Sequence, residues 1–218
     1  MKYDITKGDR RAIRTLFLAE GLSESGFLNR RLETIGADRE AVGVYCFQGI
    51  NGLAEHTQAV VNIVDMALGN VELLAGMGML ADSETDANGR IESAIGFFKA
   101  LGFPRCAKDI LASGRYQLGV RRIAVSLSPS NSSNGRIEDL ILKEIEQSVE
   151  HACISSMEKC IKDATEVSLD SKAVAQIYVS CRKPGLCGVG RAFEAGILDA
   201  THNAYATHSA MVDFVLGA

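Results

Sequence analysis

The sequence predicts helices packed on a β-sheet, as an α+β sandwich (α/β sandwich) of two pseudo-repeated, ferredoxin-like halves built from four strand–loop–helix units. Three observations predict it. Short apolar runs alternate with amphipathic segments of helical period. The joining loops carry glycine with asparagine or serine, the residues of turns. A short motif also recurs, Asn88-Gly89-Arg90-Ile91-Glu92 returning as Asn134-Gly135-Arg136-Ile137-Glu138. A doubly wound parallel sheet is the alternative. Ser126 and Gln176 interrupt two of the predicted strands, whereas a sheet covered on both faces calls for unbroken apolar runs.

Residues 1–40 read as a helical, arginine-rich N-terminal segment. Ile13, Leu16 and Phe17 fall at helical spacing, Gly21, Ser23, Ser25 and Gly26 interrupt, and 27–35 form a second short helix. Arg10, Arg11, Arg14, Arg30, Arg31 and Arg39 make either a solvated charged face or a docking arm for an acidic partner.

Residues 41–104 make the first α/β half. Its strand is 41–47, its loop holds Gly49 and Asn51-Gly52, and its helix spans 53–68. The run 71–81 is weaker, because Gly76 and Gly78 argue against a clean strand. An acidic loop at 82–89 leads to a helix at 90–101, ended by Gly102-Phe103-Pro104. Residues 105–121, with Gly114 and Gly119, form a connector.

Residues 122–218 make the second half. A strand at 122–127 and a serine-rich loop at 128–135 lead to a long helix at 136–164, striped by Ile137, Leu140, Ile141, Ile145 and Val149. The run 173–179 is rich in Val, Ile and Tyr and reads as a strand. The loop 180–189 and a helix at 190–206 follow.

Composition narrows the function. The 218 residues are 47% hydrophobic and 23% charged, with a formal net charge of −4. Such a chain folds rather than staying disordered. It lacks the positive field of a general nucleic-acid binder, so no nucleic-acid partner is expected. No apolar stretch is long enough to span a bilayer, and the amino end has no apolar signal core. The six cysteines include no C-x-x-C pair, and a reducing, cytoplasmic setting is the expectation.

The candidate chemistry lies at helix starts. Gly89-Arg90, Gly135-Arg136 and Gly190-Arg191 each open a predicted helix, where the partial positive charge disfavours arginine. One resolution pairs each arginine with a following acid, Glu92, Glu138 or Glu194. The other places a bound phosphate or carboxylate on the guanidinium and the helix N–H groups. Arg90, Ser132, Ser133, Asn134, Gly135, Arg136, Lys183 and Arg191 would then hold a small anionic metabolite. Cys181 or Cys187 with His202 would supply any catalytic step, Arg182 and Lys183 lowering the pKa of a nearby thiol. The spacing of His202 and His208 does not make the i, i+4 pair of a metal site, no metal ligands are assigned, and the cofactor is unknown. P-loop and dinucleotide fingerprints are absent from the sequence. A homo-oligomer is expected in either case. The alternative function is a homo-oligomeric structural or assembly protein of the tandem-domain microcompartment-shell kind.

Overall fold

Thr15–Ala19 is a strand, β1, buried along its whole length, and around it the remaining strands assemble into one sheet. The computed structural model describes residues 3–5, 13–47, 57–62, 74–103 and 105–217. The other strands are β2 (Val42–Cys46), β3 (Gly76–Asp82), β4 (Arg115–Leu118) and β5 (Arg121–Ser128). They lie in the order β2-β1-β3-β5-β4. All neighbours are parallel except the β4–β5 hairpin. The described residues therefore form a mixed α/β fold on a mostly parallel sheet, as in the doubly wound alternative. They do not show two ferredoxin-like halves, and the segment read as a connector supplies β4 to the same sheet.

Side chains alternate across this sheet, and both faces are covered. Phe17, Val44, Leu80 and Ala124 face one core. Leu16, Leu18, Met77, Met79, Ile123 and Val125 face the other. The first core is closed by α1 (Leu22–Thr34), α4 (Ile137–Ile145), α6 (Ser171–Arg182), α7 (Val189–Glu194) and α8 (Ala206–Leu216). The second is closed by α2 (Ala87–Ala100) and α3 (Ala107–Ser113). Helix α5 (Val149–Thr165) packs on α6.

Five local readings are corrected. The segment around Leu16 and Phe17 is strand, because a short, wholly apolar run has no period to tell it from helix. The run 173–179 belongs to α6. Its buried Val174, Ala175, Tyr178 and Val179 recur at helical spacing, and the Asp170 carboxylate caps it by accepting from the Ala173 N–H at 2.8 Å. The long helix is two: α4 ends at Ile145, and Ser148 caps α5 by accepting from the His151 N–H. The last predicted helix ends at Glu194, with α8 a separate element. Gly76 and Gly78 lie inside β3 after all. A Cβ at Gly76 would meet the Val215 carbonyl, and one at Gly78 would crowd Phe17 and Met211. Their bareness lets α8 lie close on the sheet. Of the helix expected at 53–68, residues 57–62 are helical. The rest of it, with Gly49, Asn51-Gly52, His56, Asp65, Arg10, Arg11 and Pro104, lies outside the described residues.

Candidate active site: a carboxylate cluster at the switch point

In a parallel sheet, ligands sit beyond the carboxyl ends of the strands, where the strand order reverses. Here that place lies between β1 and β3, because the chain leaves β1 toward β2 and returns to β3 on its other side. Acids gather there. Glu20 directly follows β1, Glu24 lies in the first turn of α1, Asp82 ends β3, Glu84 follows it, and Glu138 opens α4.

Backbone bonds hold the cluster. The Asp82 N–H donates to Glu20 Oε2 at 3.0 Å, and the Ile137 N–H donates to Asp82 Oδ1 at 2.8 Å. The Ser23 hydroxyl donates to Glu138 Oε1 at 3.3 Å. Glu24 is 3% exposed. Among the described residues the donor to its carboxylate is its own backbone N–H, and the charges around it, Asp82, Glu138 and Glu20, are all acids. A Cβ at Gly21 would stand 2.8 Å from Glu24 Oε2, so glycine there leaves room for the carboxylate.

Burial of like charges shifts both central groups. Burial first, and then the neighbouring acids led by Asp82, hold the Glu24 carboxyl well above the usual carboxylate range. Burial pushes Asp82 up to about 7, with Glu138, Glu20 and Glu84 adding to the rise and the Ile137 N–H opposing it.

Two of the sequence-predicted arginines reach this cluster. Arg90 Nη1 lies 3.5 Å from Glu20 Oε1, and Arg136 Nε donates to Glu84 Oε2 at 3.0 Å. Neither pairs with the acid expected from its own helix. The Asp139 carboxylate accepts the Arg136 N–H at 2.8 Å, so Asp139 supplies the capping acid. The repeated Asn-Gly-Arg motif also takes two different positions. Arg90 lies inside the first turn of α2, after the Asp86 cap, whereas Arg136 itself precedes α4.

The serine-rich loop braces the same site. Asn134 Oδ1 accepts from the Ala87 N–H at 3.1 Å, and its Nδ2 donates to the Thr85 carbonyl at 2.7 Å. The Ser83 hydroxyl lies 2.8 Å from the Ser128 carbonyl and 2.7 Å from that of Ser133. Glu84 and Gly135 exchange backbone bonds at 2.8 and 2.9 Å. Ser132 stays exposed, and the Ser133 hydroxyl meets Ser130 at 2.6 Å.

The remaining candidates lie apart from one another in role. Cys181 and Cys187 are exposed and free. Cys181 lines a cavity of about 380 Å³ between α5 and α6, with Cys153, Ile154, Met157 and Ile177. Arg182 is engaged with Glu150 at 2.9 Å. His202 Nδ1 accepts from the Ala204 N–H at 3.2 Å, and among the described residues no hydrogen bond joins it to either thiol. Lys183 and Arg191 are exposed. Gly190 serves packing instead, its Cα lying against the Leu22 carbonyl of α1. His208 is wholly buried, bridging the hydroxyls of Ser126 (2.7 Å) and Ser128 (3.0 Å).

Sequence alone does not single out Glu20, Glu24, Asp82 and Glu84 as a site. The signal was present in the acids that close two strand runs, but it needed β1 to be read as a strand.

The fold and this site define an α/β protein with a buried carboxylate cluster at the switch point of its sheet. The chain belongs to the DUF3226 family, described as proteins of unknown function, whose model matches residues 7–214. Comparison with curated proteins and with solved structures found no match. Among the described residues no helix is long and apolar enough to cross a membrane. Nor are three acid, thiol or imidazole groups already gathered there as a metal-binding set.

Proposed function

We propose that this end of the sheet takes a small phosphate-bearing ligand together with a divalent cation. The observation that carries this reading is Glu24. A carboxylate this buried, whose charged neighbours among the described residues are acids, is favoured in its ionised form by a positive charge brought in with a ligand. Carboxylate oxygens suit a hard cation such as magnesium or manganese, whose binding would draw together side chains that, among the described residues, are not yet gathered as a metal-binding set. Glu20, Asp82 and Glu84 are the carboxylates placed to hold it, at the ends of two strands rather than on free loops. A bound cation would polarise a phosphoryl oxygen. Arg90 and Arg136, at the rim, would orient the phosphate through paired N–H groups. The anionic ligand read from the helix starts thus keeps two of its arginines and gains a cation.

The test is thermal shift with manganese(II) and with phenyl phosphate, singly and together. A ligand that binds the folded state alone raises the melting temperature. Wild type should rise with manganese and rise further with both, while Asp82→Asn should show no manganese shift. An equal shift in Asp82→Asn would overturn the assignment.

A homo-oligomer is a second reading, favoured by α5. Ile154 is its single buried residue, while Val149 and Met157 are 78% and 39% exposed. Exposed apolar groups clustered on one helix suit contact with a second copy. Light scattering that returns the monomer mass at high protein concentration would refute it.

A further inference from the structure

We infer that Arg90 and Arg136 are exchangeable counter-ions, held on Glu20 and Glu84 until a divalent cation takes those carboxylates and turns the guanidiniums toward the ligand's phosphate. This rests on the reading of the site given above and adds the order in which its charges are satisfied.

Four features support the exchange. Each arginine comes from a different element than its acid, Arg90 from α2 to the end of β1 and Arg136 from the start of α4 to the loop after β3. Neither pair is therefore needed to hold a single helix together. The Arg90–Glu20 contact is incomplete: Arg90 Nη1 is buried without a hydrogen-bond acceptor, although Glu20 Oε1 lies 3.5 Å away. A buried donor aimed into the cluster without an acceptor is suited to a ligand oxygen. The Arg136–Glu84 pair is the accessible one, its side chains being 41% and 33% exposed, so water and solutes reach it. Finally, among the described residues two guanidiniums face five carboxylates, Glu20, Glu24, Asp82, Glu84 and Glu138. The arginines neutralise the rim and leave the buried centre acidic.

The consequence is a pair of opposite effects. Each guanidinium repels an incoming cation and attracts an incoming phosphate. A unit charge about 6 Å from a doubly charged ion alters its binding by about tenfold even at the dielectric constant of water. Removing an arginine should therefore tighten cation binding and weaken phosphate binding.

The experiment measures manganese(II) affinity by electron paramagnetic resonance, then phenyl phosphate affinity by calorimetry in saturating manganese. Wild type, Arg90→Gln, Arg136→Gln and the double variant are compared at one ionic strength, with circular dichroism confirming that each is folded. The exchange predicts manganese binding about tenfold tighter in each single variant and phenyl phosphate binding at least tenfold weaker. Arg136→Lys, which keeps the charge and loses the fork, should leave manganese affinity near that of wild type. If wild type binds manganese and the variants bind it equally or more weakly, the exchange is wrong and the site reading stands. If neither wild type nor the folded double variant binds manganese, both fall. Should the double variant alone bind it, the arginines are blocking the site as inferred.

Discussion

Gly26 of α1 and Gly190 of α7 meet backbone to backbone. A Cβ at Gly26 would run into the Gly190 carbonyl, and one at Gly190 would run into the Leu22 carbonyl. The contact fixes how α1 leaves β1, and α1 carries Glu24 into the carboxylate cluster. Helix propensity and packing make opposite forecasts for Gly26→Ala. Propensity alone favours alanine by about 1 kcal/mol. Overpacking costs about 1–3 kcal/mol and should win, since the obstacle is backbone. The urea midpoint of Gly26→Ala should fall; an unchanged or higher midpoint would show that the helices separate freely.

Asp82 makes stability depend on pH in the alkaline direction. Its folded pKa, near 7, lies above the ordinary aspartate value, so its contribution is complete below about 3.9 and is lost as pH rises through 7. Asp82→Asn keeps the acceptor for the Ile137 N–H and cannot ionise. In chelator, its melting temperature should match that of wild type near pH 4, exceed it progressively from there to about pH 7, and hold a constant margin above that. Parallel curves between those two values would contradict the shift.

His208 acts at the other end of the scale. Burial lowers its pKa to about 4, and as the neutral ring it bridges Ser126 and Ser128. The folded value is depressed, so its stabilising contribution is complete above about 6.5 and is lost as pH falls toward 4. The loss over that interval is on the order of 3 kcal/mol. Denaturant titrations of wild type and His208→Gln at pH 7, 5.5 and 4.5 give the measurement. The variant is the less stable at pH 7, and the gap narrows on acidification; a constant gap would mean that His208 does not titrate in this range.

Asn134 clamps two loops with one amide. Asn134→Ala removes the bonds to the Ala87 N–H and the Thr85 carbonyl, at about 1–3 kcal/mol if the freed groups stay buried. Hydrogen exchange reads this locally. The Ala87 amide should exchange faster in the variant while amides of β1 hold their rate, and uniform acceleration would point to global loss of stability instead.

Much of the sheet was legible because Val42–Cys46 and Arg121–Ser128 are flanked by turn residues and carry the β-branched Val42, Val44, Ile123 and Val125. β1 was not, since TLFLA is apolar on both faces and matches a buried helix turn equally well. The run in α6 misled by composition, although Asp170 gave a capping signal before it. At the site, Arg90 and Arg136 could be singled out from the cost of arginine at a helix start. Their partners could not, because Glu20 and Glu84 are 70 and 52 residues away along the chain and come near only when β1 and β3 pair in parallel.

The shallow seating of α5 has a practical side. A helix of seventeen residues with only Ile154 buried can be decorated or rebuilt on its outer surface without disturbing either hydrophobic layer. Cys160 sits on it, exposed, as a ready attachment point. With Cys153, Cys181 and Cys187 changed to serine, a dye on Cys160 becomes a handle by which the molecule can be tethered, tracked or brought beside a second copy while its sheet is left untouched.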